Sequence, residues 1–261
     1  MHHNVPLPEP TSADQLWQKM VDGLKEEKHL VTPRICDVFR RWGRHLFVDP
    51  GNAAFQRIVA GANNAYAIEY NQTISQPQMV AKMTEWLAPK RGETALDVGL
   101  GSGWQAAILQ ELVGESGRVF AIERIEGLVQ LARERFERLG LSQIQIVYGD
   151  GMNPDEVPPG PFDMITCAAG CADAPQFWKD RLRDGGRLVY PKQAATIERG
   201  VTTWSGGQTS KAPPGWEDGP LHALCKTTRS GNRYKEEFAE GYCRYVPLLP
   251  ATEPLTEPSK A

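Results

Sequence analysis

Residues 97 to 103 read Asp97-Val98-Gly99-Leu100-Gly101-Ser102-Gly103, three glycines at alternate positions after a short apolar run that ends in an acid. Such a cluster suits the point where a buried strand turns sharply into a helix. Glycine lets the backbone approach a ligand closely there, and the free N–H groups of the helix start point at it. A dinucleotide fingerprint, G-x-G-x-x-G, would need a glycine at 104, and that residue is Trp104. Two more acids fall where one ligand could reach them. Glu123 closes the next apolar run, where a carboxylate can hold both hydroxyls of a ribose. Asp150 follows the run after that, where it can accept a hydrogen bond from the amino group of a base. Each acid alone is an ordinary polar strand end. Together they sit at the carboxyl ends of three successive strands, where ligands bind in open α/β sheets.

The elements that must position these residues can be read from periodicity. Thr94–Val98, Arg118–Glu123, Ile144–Tyr148, Phe162–Cys167 and Gly186–Tyr190 read as buried strands. Helical spacing marks Trp104–Val113, the segment from Leu128 to Leu139, and residues near Pro175–Leu182. Repeated β-α-β order predicts an α/β fold, a doubly wound Rossmann-like sheet, mostly parallel, with helices on both faces. N-terminal helices are expected over residues 13–28 and 33–42, a turn-rich stretch over 43–75, and another helix through Met79, Val80, Met83 and Trp86. After Pro191 the rhythm breaks. Residues 193–220 are rich in Gly, Pro, Thr and Ser, and Leu221–Arg229 and Tyr234–Val246 suggest an antiparallel C-terminal hairpin around Ser230-Gly231-Asn232. The organisation expected is a tail and helical cap segment over 1–75, a ligand-binding core over 76–191, an insertion loop over 192–220, and a hairpin of the same domain with its tail over 221–261.

Composition narrows the function classes. The 261 residues are 41% hydrophobic and 23% charged, the usage of an ordinary globular chain. A net charge of −3 and pI near 6.0 offer no broad basic field for nucleic acid or an anionic membrane. No apolar run is long enough to cross a bilayer. Five unevenly spaced cysteines do not form a disulfide framework, and no histidine pair accompanies Cys167 and Cys171 to suggest zinc, so no metal is expected. A cytoplasmic protein with reduced thiols is the expectation; oligomeric state is not legible.

The G-x-G-x-G spacing resembles that of S-adenosylmethionine-dependent methyltransferases, and a longer series of motifs resembles one family among them. Arg44-His45-Leu46-Phe47-Val48, Gln72-Thr73-Ile74-Ser75-Gln76-Pro77, Met79-Val80-Ala81, Ile122-Glu123-Arg124, Gly149-Asp150-Gly151, Asp184-Gly185-Gly186-Arg187-Leu188-Val189 and Val246-Pro247-Leu248 follow in order. They look like the motifs of protein-L-isoaspartate O-methyltransferases. The resemblance implies S-adenosyl-L-methionine as cofactor and a protein or peptide carrying isoaspartate or aspartate as partner. It implies methylation of an isoaspartyl α-carboxylate, whose ester closes to a succinimide that hydrolyses partly to aspartate. It implies Ser75 as the active-site residue, and cofactor contacts from Gln72, Thr73, Ile74, Ser75, Asp97, Gly99, Gly101, Ser102, Gly103, Glu123, Arg124, Asp150 and Gly151.

Ser75 has a plainer reading as well, since it stands just ahead of Gln76-Pro77 and a helix and can serve as an N-cap. Several departures bear on the substrate: Asn71 stands where glycine is usual, Gln78 where an aromatic or histidine is, and Pro191-Lys192-Gln193 replaces P-V-G. Two rivals follow, a relative dedicated to an aspartate of one peptide and a non-catalytic protein retaining the cofactor fold. A stretch as long as 193–220 without secondary structure of its own, carrying Trp204 and Trp216, would shape a substrate entrance.

Overall fold

The computed structural model describes residues 12–212, 217–245 and 248. Helix α1 (Ser12–Glu26) buries Ala13, Trp17, Val21 and Leu24, one stripe at helical spacing. Helix α2 (Pro33–Arg41) begins on Pro33, whose missing N–H has no partner to lose in a first turn. The stretch expected to be only turn-rich contains a further helix, α3 (Ala53–Gly61). Its N-cap Asn52 accepts the Phe55 N–H at 3.0 Å. Strands β1 (Tyr66–Ala67) and β2 (Thr73–Ile74) then pair antiparallel as a small flap, and α4 (Pro77–Leu87) follows.

The centre alternates as expected: β3 (Thr94–Val98), α5 (Trp104–Val113), β4 (Arg118–Glu123), α6 (Glu126–Leu139), β5 (Gln145–Tyr148), β6 (Phe162–Cys167), α7 (Gln176–Asp180) and β7 (Leu182–Glu198). Strands β3 through β7 stand in the order β5-β4-β3-β6-β7, all parallel. Successive residues face opposite layers. Ala95 and Met164 join one core with α1, α2, α4 and α5, while Leu96, Val98 and Ile165 join a second core with Trp178 of α7. Burial on both faces is why these strands read as continuous apolar runs. The chain goes outward from β3 to β5 and crosses back to β6, so a crevice opens at the carboxyl end of β3.

Trp104, the first residue of α5, joins this sheet to the N-terminal helices. Its Nε1 donates to the Trp42 carbonyl at 2.7 Å, and its ring meets Trp17 and Phe39 edge-on at 5.6 and 5.9 Å.

The C-terminal part differs from expectation. The strand predicted to end at Tyr190 continues through Pro191 to Glu198. The Pro191 carbonyl accepts the Cys171 N–H at 3.2 Å, which places its missing N–H on the β6 side, where pairing with β6 has already stopped at Val189. The stretch expected as a structureless insertion is a meander, with β8 (Val201–Trp204) and β9 (Thr209–Lys211) folded onto β7. Arg199 and Gly200 turn the β7–β8 hairpin with φ of 50° and 76°, the handedness of a type I′ turn. Strands β10 (Gly219–Ser230) and β11 (Arg233–Phe238) form the hairpin and extend the sheet antiparallel beyond β7. The second of these is shorter than the expected Tyr234–Val246. Cys225 lies opposite Phe238 and Cys243 bridges to His222, so the two thiols do not face one another. Trp204 packs with Ala195, Ile197 and Leu221, and its ring meets that of Tyr242 at a tilt, 5.0 Å between centroids, which holds the meander down. Trp216 lies outside the described residues, as does the Val246-Pro247 pair.

Candidate active site

The β3–α5 connection runs with positive φ at Gly99 (83°), Gly101 (53°) and Gly103 (89°), backbone that L side chains rarely adopt. This loop is tied to the end of β4. The N–H groups of Gly99 and Leu100 donate to the Ile122 carbonyl at 2.9 and 3.2 Å, and that of Gly101 donates to Glu123 Oε2 at 3.0 Å. Glu123 Oε1 accepts the Ile125 N–H, also at 3.0 Å. Burial pushes the Glu123 carboxyl above its ordinary range, and the backbone N–H groups of Gly101, Ile125 and Arg124 hold it back. The result is an acid in a fixed orientation at the mouth of the crevice.

A cavity of about 970 Å³, part of it open to solvent, occupies this crevice. Gly99, Leu100, Gly101 and Ser102 form one wall. Ile122, Glu123, Arg124 and Ile125 form the next, then Gly149, Asp150 and Gly151, with Ala168, Ala169 and Leu248 on the β6 side. Gln72, Thr73 and Ser75 of the flap segment close the remaining side. Asp150 is buried and oriented by the Met152 N–H, which donates to its Oδ1 at 2.8 Å. The Gly151 carbonyl accepts from Trp178 Nε1 at 2.9 Å, which fixes this third wall to α7.

Three residues that the sequence placed at the site do not line the cavity. Ile74 turns its side chain into the core, where it is 1% exposed. Gly103 is a packing position: a Cβ there would lie 2.7 Å from the Phe136 ring of α6. Asp97 stands behind the wall, 1% exposed, with no hydrogen-bond partner at either carboxylate oxygen. Burial raises its carboxyl well above the ordinary value, and the neighbouring Glu123 carboxylate adds to the shift. Gln105, which the sequence did not single out, lines the cavity. Its Nε2 donates to Thr166 Oγ1 at 2.9 Å, and its Oε1 is buried without a donor. Asp97 and Thr166 are paired across β3 and β6, so Gln105 and Asp97 flank the same threonine. Buried acceptors without donors are costly, and this group calls for a donor-rich, cationic ligand.

Ser75 does not cap α4. Gln76 holds the N-cap position and Pro77 has no N–H to bond. The next donor, Gln78 N–H, goes to Asn63 Oδ1 at 3.0 Å, and Gln78 Oε1 in turn accepts from Asn63 Nδ2 at 3.1 Å. The cap is supplied from the far side of the flap, which leaves the Ser75 side chain at the cavity. Between β1 and β2 the chain turns on Tyr70 and Asn71, with φ of 57° and 55°. Asparagine tolerates this region better than most residues, which accounts for Asn71 at a position where glycine is usual. No residue of the meander lines the cavity among the described residues. Among the same residues, no helix is long and apolar enough to cross a membrane.

Residues 15–203 match the family described as protein-L-isoaspartate(D-aspartate) O-methyltransferase (PCMT). A protein-L-isoaspartate O-methyltransferase of Ectopseudomonas mendocina is 40% identical over 183 residues, 70% of this chain and 82% of the relative. Protein-L-isoaspartate O-methyltransferase 1 of Archaeoglobus fulgidus is 33% identical over 207 residues, 77% and 93% of the two chains. An Aeropyrum pernix relative is 38% identical over 176 residues, and the match spans 65% of its length. In fold, the chain resembles a Plasmodium falciparum protein assigned as a protein-L-isoaspartate O-methyltransferase, crystallised with S-adenosyl-L-homocysteine. That likeness has a TM-score of 0.68 at 20% identity, over 89% of this chain and 97% of the other.

Proposed function

Because this chain belongs to the protein-L-isoaspartate(D-aspartate) O-methyltransferase family, we propose that it is an S-adenosylmethionine-dependent enzyme that methylates the α-carboxylate of L-isoaspartyl residues in proteins or peptides. The observation that carries this reading is the cavity at the carboxyl ends of β3 and β4, lined by the oriented acids Glu123 and Asp150 and flanked by the Ser75 flap. S-adenosylmethionine, when bound, supplies a methyl group on a positively charged sulfur, the electrophile of the reaction.

The chain's own residues fit that group. Glu123, oriented by the backbone N–H groups of Gly101 and Ile125 among others, would keep lone pairs for a pair of ribose hydroxyls. Asp150, after β5, would accept a hydrogen bond from the adenine amino group, and Ile122, Ile125, Gly149 and Gly151 line the same part of the cavity. Gln105 Oε1, at the cavity and without a donor, would accept from the ammonium of the amino-acid end, and the Asp97 carboxylate would add negative charge from behind the glycine loop. Gln72, Thr73 and Ser75 would cover the bound cofactor from the flap side.

The isoaspartyl carboxylate is ionised at neutral pH, so the enzyme needs no general base. Its task is to bring one carboxylate oxygen in line with the methyl carbon and keep water out. The Ser75 hydroxyl, released from capping, donates a hydrogen bond to that carboxylate and aims it. All five cysteines are free thiols, which suits a reducing cytoplasm. The relatives named above give no support to a dedicated-peptide or a non-catalytic role.

The test is methyl transfer from labelled S-adenosylmethionine to an isoaspartyl peptide and to its aspartyl twin. Incorporation into the isoaspartyl peptide alone is expected. Transfer to the aspartyl twin alone, or to neither while the cofactor binds, would overturn the assignment.

A further inference from the structure

Arg44, in the single turn between α2 and α3, has no exposed surface. Each hydrogen bond its guanidinium makes goes to a backbone carbonyl. Nε donates to Val59 at 2.6 Å and Nη2 to Ala62; Nη1 donates to Asn64 at 2.6 Å and to Ser75 at 2.9 Å. The Tyr66 ring lies 5.4 Å from its central carbon. Burial pulls the guanidinium down to about 10, which still leaves it protonated at neutral pH. Val59 and Ala62 belong to the end of α3, whose unpaired carbonyls and dipole favour a cation. Asn64 and Ser75 are the two ends of the flap, and one nitrogen holds both.

Resting on the proposed activity, we infer that Arg44 is the positioning residue for Ser75: it fastens the base of the flap so that the serine hydroxyl meets the substrate carboxylate at a fixed place. Among the described residues no acid pairs with Arg44, and a buried charge held by carbonyls alone is an expensive way to close a loop. A planar fork of donors can reach carbonyls on several sides at once, whereas the ammonium of lysine is a point. The backbone of Ser75 is thereby set from two directions, by Arg44 at its carbonyl and by the buried Ile74 one residue before. Catalysis by positioning is sensitive to displacements of about 1 Å, so loosening this one anchor acts on turnover before it acts on binding.

The experiment is a double-mutant cycle in the full chain with an isoaspartyl peptide, using Arg44→Lys, Ser75→Ala and both. Arg44→Lys is expected to lower kcat about tenfold while the peptide KM and the cofactor Kd stay within about threefold. In the Ser75→Ala background the same substitution should change kcat less than about twofold, because coupled residues are not additive. Equal losses in both backgrounds, or an unchanged kcat, would overturn the inference. If Arg44→Lys does not fold, Tyr66→Leu replaces it in the cycle, since it removes the ring over the guanidinium and leaves the charge. The same non-additive loss of kcat supports the inference, and an additive or absent loss overturns it. A wild-type enzyme inactive on the isoaspartyl peptide would refute the proposed function and this inference with it. An active one with additive losses refutes only the inference.

Discussion

Glu123 Oε2 accepts the backbone N–H of Gly101 at 3.0 Å, so the acid at the end of β4 and the glycine loop at the end of β3 are one rigid unit. The acid that would grip a ribose also holds the loop that would lie against the rest of the ligand. Glu123→Ala should therefore remove a charge-assisted partner and loosen Gly101 together. Cofactor affinity should fall by about 1–3 kcal/mol, measured by titration calorimetry on folded variant. Unchanged affinity would remove Glu123 from the site.

Asp97 sets a conflict between stability and binding. Its folded carboxyl titrates well above the unfolded value of about 3.9. The stability it lends is present below that unfolded value and is lost as pH rises through the folded one. Ligand-free Asp97→Asn should accordingly melt higher than the wild type at pH 8, by differential scanning fluorimetry. The same variant should bind S-adenosylmethionine more weakly. In the wild type, affinity should rise with pH as Asp97 ionises against the ligand cation, and the variant should lose that slope. A variant of equal affinity and equal pH slope would show that Asp97 does not act on the ligand.

Ser75→Ala separates aim from architecture. The Ser75 hydroxyl makes no cap, since Asn63 supplies it, so stability should change by no more than about 0.5 kcal/mol. The kcat/KM for an isoaspartyl peptide should drop at least tenfold. Parallel losses of melting temperature and activity would return Ser75 to a structural role.

Trp104 tests how the N-terminal helices serve the site. Its ring is 2% exposed and its Nε1 bonds to Trp42. Trp104→Ala leaves a cavity between α1, α2 and α5 and should cost about 3–5 kcal/mol of stability, read from urea unfolding. Trp104→Phe, which keeps an aromatic ring but loses the Nε1 bond and part of the indole's volume, should cost less, about 1–2 kcal/mol. Equal costs for the two would place the anchor in the hydrogen bond and not in the packing.

The parallel core and the glycine loop and acids at the ends of its strands were legible in the sequence. Strands buried on both faces read as apolar runs, and a loop that turns on positive φ favours glycine, so the placement of Thr94–Val98, Gly99 and Gly101, and of Glu123 and Asp150 at the following strand ends, is written in local pattern. The features that were not legible are relationships between residues far apart in the chain. Asn63 capping α4, Arg44 holding Asn64 and Ser75, and Gln105 sharing Thr166 with Asp97 leave no periodic trace, because each depends on where a second segment comes to lie. The meander was hidden for a different reason. Its strands are short, its Arg199-Gly200 turn puts arginine in the left-handed region, and its apolar positions Ala195, Ile197 and Leu221 become a core only once β7 runs on past Pro191. Local sequence records what a residue demands of its own backbone; what it demands of a distant partner is settled only when the chain has brought the partner there.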